Sequence, residues 1–94
     1  LGPLERQRDA IAANSSAASQ LVHVYTDHAL TARRGIDRTF WLLATADVIA
    51  AEPPASHPIL LRLAARRIHA TFAVPHKERL TATRFLFAKV VPID

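Results

Sequence analysis

The chain has 94 residues, enough for a single domain, and a formal net charge of +4 from 12 Lys and Arg against 8 Asp and Glu. It contains no cysteine, which excludes disulfides, thiolate zinc sites, iron–sulfur clusters and thiol catalysis. Half of the residues are apolar and only two are glycine, so we expect a packed globular core rather than a disordered segment.

The first predicted helix begins at Pro3, since proline suits the first turn of a helix. Its pattern weakens at the polar residues 14–16 (Asn-Ser-Ser), where we expect the helix to end or kink. Residues 1–14 are therefore either a separate N-terminal helix or extension, or part of a single helical domain spanning 1–94. In a second helix, four positions recur at three- and four-residue spacing: Leu21, Val24 or Tyr25, His28 and Ala32.

The Arg-Arg-Gly sequence at residues 33–35 is typical of a helix end, because cations favour a helix C-terminus and glycine tolerates a left-handed cap. Asp37 is then predicted to cap a third helix over about residues 38–51. Ile36, just before this cap, is expected to pack on Trp41 as a hydrophobic staple. A pair of prolines ends the third helix.

Ser56 is predicted to cap a fourth helix with Pro58 in its first turn. The apolar stripe of this helix is expected at Leu61, Ala64, Ile68 and Phe72. Pro75 closes it and opens a fifth helix, over roughly residues 76–89. One face of the fifth helix is predicted to carry Leu80, Thr83, Phe87 and Val90. Residues 84–91 are also rich in aromatic and branched side chains, so an edge strand is the alternative there.

The sequence thus predicts an all-α protein of four to five short helices, arranged as a helical bundle or a helical-hairpin stack. A helix pair recurs at about 37 residues, within the range of helical-hairpin repeats. Three short segments, Ile36-Asp37, Glu52-Pro53 and the Leu-Arg-Leu-Ala-Ala-Arg-Arg run from Leu61, resemble segments of pentatricopeptide-type stacks and of a matrix-side helical subunit of cytochrome c oxidase. Segments of this length assign no family.

Neither an active site nor a cofactor site is predicted. The sequence has no glycine-rich phosphate loop and no nucleophile motif. His23 and Asp27 lie one helical turn apart but lack a third metal ligand, so no metal is expected. Asp47, inside the apolar third helix, is expected to form a buried ion pair with Arg62 or Arg66. The longest apolar run without a charge is far shorter than the roughly 18 residues of a membrane span, so no transmembrane segment is expected.

Arg62, Arg66 and His69 recur at helical spacing and predict a basic contact stripe. RNA and anionic lipid are permitted partners for such a stripe. A solvated face or a protein contact is favoured over both, because the aromatic residues lie in apolar runs and are not interleaved with the cations.

An excess of apolar residues points to burial against another chain. The consecutive residues 40–43 (Phe-Trp-Leu-Leu) point in every direction around their helix, at about 100° per residue. Similar apolar runs occur at residues 60–63 and 85–91, and a chain of this size can surround one such helix but hardly three. We expect Trp41 in the internal core, and a protein interface formed by Phe85, Phe87, Val90 and Val91.

The functional hypothesis is a non-catalytic accessory or structural subunit whose partners are other protein subunits of a larger assembly. The first residue is Leu1 rather than methionine, and arginine greatly outnumbers lysine, so we expect a mitochondrial location in a respiratory-chain complex or a mitochondrial ribosome. Two alternatives stay open: a ligand-sensing or regulatory helical module of a bacterial protein, and a small basic RNA-binding protein.

Overall fold

The structure, a computed structural model, describes residues 3–70 and 74–90, with side chains from Ala17 onward. This part of the chain contains four α-helices, one short 3-10 helix and no strand. The α-helices are α1 (Pro3–Thr31), α2 (Gly35–Ala50), α3 (His57–His69) and α4 (His76–Val90), and the 3-10 helix is Pro54–Ser56. The all-α prediction is confirmed, and α4 takes the place of the alternative edge strand up to Val90.

The predicted break at residues 14–16 is wrong, because α1 runs continuously for 29 residues. Asparagine and serine each cost a helix only about 0.5 kcal/mol relative to alanine. Alanine, the strongest helix former, occupies both sides of this segment, at residues 12–13 and 17–18. Neither proline nor glycine interrupts α1 after its first residue, so the helix continues through the polar segment.

The repeat predicted in this helix is not its buried face. Leu21 and Val24 are 43% and 46% exposed, His28 is exposed, and Tyr25 and Ala32 are only half-buried. The residues that α1 buries lie on a neighbouring stripe: Ala18, Val22, Thr26, Ala29 and Leu30. Both stripes have helical spacing, so periodicity alone does not separate them. The small side chains at Ala18 and Ala29 allow the neighbouring helices to approach α1 closely.

The turn between α1 and α2 differs from its predicted capping. Gly35 has no positive φ and is the first residue of α2 rather than the left-handed end of α1. Arg34 occupies the N-cap position, and its Nε donates to Asp37 Oδ2 at 3.0 Å. Asp37 therefore lies in the first helical turn, where the helix dipole also favours a carboxylate. Ile36 is 73% exposed, which rules out the predicted staple against Trp41.

The starts of α3 and α4 agree with those predicted from Ser56, Pro58 and Pro75, but α3 ends at His69 rather than at Pro75. Ser56 precedes α3, although its side chain makes no cap hydrogen bond, and Pro58 lies in the first turn. Leu61, Ala64 and Ile68 are buried as predicted. Phe72, the last residue of that predicted stripe, lies outside the described residues.

The inner face of α4 was only partly predicted. Val90 is buried, but its partners in the core are Ala82 and Leu86. Leu80 and Thr83 are half-buried, and Phe87 is 38% exposed. The buried stripe is thus rotated around the helix from the predicted one, toward α2.

The four helices form a small bundle around one apolar core. α1 packs against α2 and α3, α4 packs against the same two helices, and α2 and α3 make little contact across the middle. The largest fully buried apolar side chains are Ile49, Leu60, Ile68, Leu86 and Val22. Every one of the four helices thus contributes to the core.

Two buried threonines lie in this core, and the hydroxyl of each forms a hydrogen bond. Thr26 Oγ1 donates to the Val22 carbonyl at 2.7 Å, and Thr45 Oγ1 donates to the Trp41 carbonyl at 2.8 Å. These bonds to the preceding turn of the same helix avoid the cost of an unpaired buried hydroxyl, about 1–3 kcal/mol.

Ion pairs connect the helices at the edge of the core. Arg67 on α3 donates to Asp27 Oδ1 on α1 at 2.7 Å, and Arg38 on α2 donates to Glu78 on α4 at 3.0 Å. The predicted buried pair of Asp47 is wrong, because Asp47 is exposed and forms no ion pair within the described residues. Its position on α2 lies away from the buried face formed by Leu42, Thr45, Ala46 and Ile49.

We predict that Leu60→Ala lowers the free energy of unfolding by about 2–5 kcal/mol, because the side chain is fully buried and its removal leaves a cavity. Leu21→Ala is the matched control, since Leu21 is 43% exposed, and it should cost less than about 1 kcal/mol. Urea unfolding followed by circular dichroism measures both changes. Equal losses for the two variants would contradict the core described above.

Candidate protein-interaction surfaces

An apolar row lies on the outer face of α2. Ile36, Phe40 and Leu43 are 73%, 61% and 39% exposed. Their spacing of four and three residues places them on one side of the helix. The buried residues of α2 lie on the opposite side, so this helix is apolar on two faces. We call these three residues the α2 row.

Trp41 anchors an aromatic cluster beside the α2 row. Its ring stacks on His28 with centroids 4.4 Å apart, and it contacts Tyr25 at 5.4 Å. Phe40 meets the same ring edge-on at 5.2 Å. Trp41 packs against the core but is only half-buried, in contrast to its predicted place inside the core. The cluster holds Phe40 against the bundle while most of the Phe40 side chain faces outward.

Burial of the α2 row by another protein would contribute favourably to the free energy of binding. Burying a large apolar side chain contributes about 1.5–3 kcal/mol, and roughly two thirds of Ile36 and Phe40 is still exposed. A protein that covered these two residues would gain about 2–4 kcal/mol from them. This surface is thus suited to a protein contact.

The structure disperses the four residues predicted to form the interface. Val90 is 6% exposed and belongs to the core, and Phe85 is half-buried beside a groove between α2 and α4. Lys89 Nζ lies 5.4 Å from the Phe85 ring centroid. Phe87 is 38% exposed but faces a different groove, between α3 and α4. Val91 lies outside the described residues.

The predicted basic stripe is partly retained. Arg62 and Arg66 are exposed on α3. His69 is half-buried at the end of the helix, with Nε2 3.4 Å from Thr83 Oγ1 on α4. The exposed part of the stripe is therefore Arg62 and Arg66, and His69 contacts α4 instead.

Arg62 also lines a groove between α3 and α4. This α3–α4 groove has a volume of ≈ 460 Å³ and is lined by Pro58, Leu61, Arg62, Ala65 and Phe87. It brings together one residue of the predicted interface and one residue of the predicted basic stripe. The sequence contained both residues, but only the packing of α3 on α4 makes them neighbours.

The pair His23 and Asp27 contacts Arg67 on α3. His23 Nε2 lies 3.3 Å from Asp27 Oδ2, and the other carboxylate oxygen accepts from Arg67. Within the described residues no group of three or more histidine, aspartate or glutamate side chains could hold a metal ion. None of the helices in this part of the chain is long and apolar enough to span a bilayer.

No known protein family, curated protein or solved structure matches this chain. Its function is therefore inferred from the chemistry of its own surfaces.

We predict that Ile36→Ser lowers binding of an apolar-surface fluorescent dye more than Ile59→Ser does. Both isoleucines are exposed, at 73% and 50%. Ile36 adjoins Phe40 and Leu43 in one row, whereas the α3 residues around Ile59 include Arg62. Dye titration of the purified variants measures the difference, with circular dichroism as the folding control. Equal reductions would show that the α2 row is not a continuous apolar patch.

Proposed function

We propose that this chain is a non-catalytic subunit of a larger multiprotein assembly, in which another protein covers the α2 row. The observation that supports this proposal is the outward position of Ile36 and Phe40, which are 73% and 61% exposed. A small domain has a total stability of about 5–10 kcal/mol, so apolar surface of this size is expensive to keep in water without a binding role.

The charges at the ends of the α2 row suggest what the partner surface looks like. Asp47 follows Leu43 by four residues, is exposed, and forms no ion pair within the described residues. Arg33 lies in the turn just before α2, at the end of the helix that carries Ile36, and is also exposed. A complementary partner presents an apolar surface with a cation near Asp47 and an acid near Arg33.

A structural role also agrees with how the polar groups of the bundle are used. The buried threonine hydroxyls donate hydrogen bonds to carbonyls of their own helices, and Asp27 forms an ion pair with Arg67. These groups serve the packing of the helices, and Thr83 Oγ1, 3.4 Å from His69 Nε2, likewise donates to the Arg79 carbonyl of its own helix.

We also propose that the assembly is a mitochondrial respiratory-chain complex or a mitochondrial ribosome, and the amino-acid composition supports this location. Ten of the 12 Lys and Arg residues are arginine, since the lysines are Lys77 and Lys89 alone. This bias suits a basic subunit in contact with acidic protein surfaces.

The test is co-elution of the chain with its partners from native extract, compared between the wild type and an Ile36→Ser, Phe40→Ser variant. We expect the wild type to elute at the size of an assembly and the double variant to elute as a smaller species. Ile59→Ser is the control that should keep the wild-type profile. A wild-type chain that elutes as a free monomer, or a double variant that still co-elutes, would overturn the proposal.

A further inference from the structure

The α3–α4 groove has an apolar floor. Leu61 and Ala65 come from α3 and Phe87 comes from α4, with Pro58 at one end. Phe87 is 38% exposed, so its ring is available to a ligand in the groove. A groove between two packed helices is a common docking place for the apolar face of a third helix.

Arg62 lines this groove, and the register of the two helices places Arg66 and Arg84 beside it. Phe87 shares the groove with Leu61 and Arg62, while Thr83, four residues earlier, lies beside His69, at the far end of α3. The helices are therefore antiparallel, and Arg84 on α4 lies level with the stretch of α3 that contains Arg66. Arg84 also precedes Phe87 by three residues, which places both on the same side of α4.

These three arginines differ from the others near the core. Arg62, Arg66 and Arg84 are exposed, and their side chains form no ion pair or hydrogen bond with the described residues. The helix α3 itself contains no acidic residue. Arg62 and Arg66 are four residues apart, so they repel each other by about 0.2–0.5 kcal/mol. Carboxylates from a bound partner would relieve this repulsion and form charge-assisted hydrogen bonds.

We propose that the α3–α4 groove binds an acidic amphipathic helix of a partner protein. Its apolar face would pack on Phe87 and Pro58, which are exposed beside the buried Leu61, and its flanking Asp or Glu side chains would pair with Arg62, Arg66 and Arg84. The site goes beyond the proposed function, because it is a second surface on a different helix pair from the α2 row. Apart from Phe87 and Arg62, the groove lining is aliphatic, which favours an apolar helix face over single-stranded nucleic acid, whose successive bases stack on several aromatic rings.

The experiment selects, from a display library of helical peptides, those that bind the intact chain. We expect enrichment of peptides with apolar residues at three- and four-residue spacing and with flanking acids. An enriched peptide is then synthesised and its affinity is measured against Arg62→Glu, Arg84→Glu. This variant should weaken binding about tenfold or more, as the loss of charge-assisted contacts at two sites predicts.

The matched control is Arg33→Glu, Lys89→Glu, which changes the net charge by the same amount away from the groove. It should keep the affinity within about twofold of the wild type. Circular dichroism checks that both variants fold, and Phe87→Ala, which keeps all charges, should also weaken the peptide. The Ile36→Ser, Phe40→Ser variant should still bind the selected peptide. The proposal for the groove can therefore be tested separately from the proposal for the α2 row.

Several results would overturn the proposal. No enrichment, or enrichment of peptides without acids, would exclude an acidic helix as the ligand. Equal losses in the two charge-reversal variants would show attraction by net charge alone. Binding of polyuridylate or of phosphatidylglycerol vesicles that depends on Arg62 and Arg84, with no selected peptide, would assign the surface to RNA or to lipid instead.

Discussion

The interaction on which this structure depends is the packing of α2, a helix that is apolar on both its inner and its outer face. Its inner face, with Leu42 and Ile49, completes the single core of the bundle. Within the described residues, the four helices form no further layer that covers the outer face. Trp41 lies between these two faces and joins the core to the exposed Phe40 through ring contacts. The proposed partner contact is therefore placed on this helix.

The helix starts of the second half could be read from the sequence, because proline leaves the backbone few choices. The starts of α3 and α4 follow from Pro58 and Pro75, whereas α3 ends at His69, before Pro75. The polar segment 14–16 was a weaker signal, since asparagine and serine only reduce helix propensity by a fraction of a kcal/mol. The inner face of α1 was not predictable from spacing, because Leu21 and Val22 belong to two stripes with the same period and only the neighbouring helices decide which is buried.

The excess of apolar residues was visible in the sequence, but its location depended on tertiary packing. Phe85 and Val90 were predicted to face a partner because few residues follow them in the sequence to cover them. In the structure α4 packs against both α2 and α3, and these contacts bury most of the Phe85 and Val90 side chains. The spacing of Ile36, Phe40 and Leu43 was present in the sequence as a possible second face of α2. The sequence did not assign Ile36 to this face, because Ile36 was predicted to pack on Trp41. Arg84 was likewise recognisable as part of a basic surface only once α3 and α4 were seen to be antiparallel.

The most direct test of the central claim is fluorine NMR of the chain labelled with fluorophenylalanine at Phe40 and at Phe85. On a change from light to heavy water, the solvent isotope shift reports how far each ring is exposed. Phe40 should show the larger shift in the free chain and should lose it in the native assembly, while Phe85 should change much less. A Phe40 ring that is already shielded in the free chain, or that keeps its full shift in the assembly, would contradict the account.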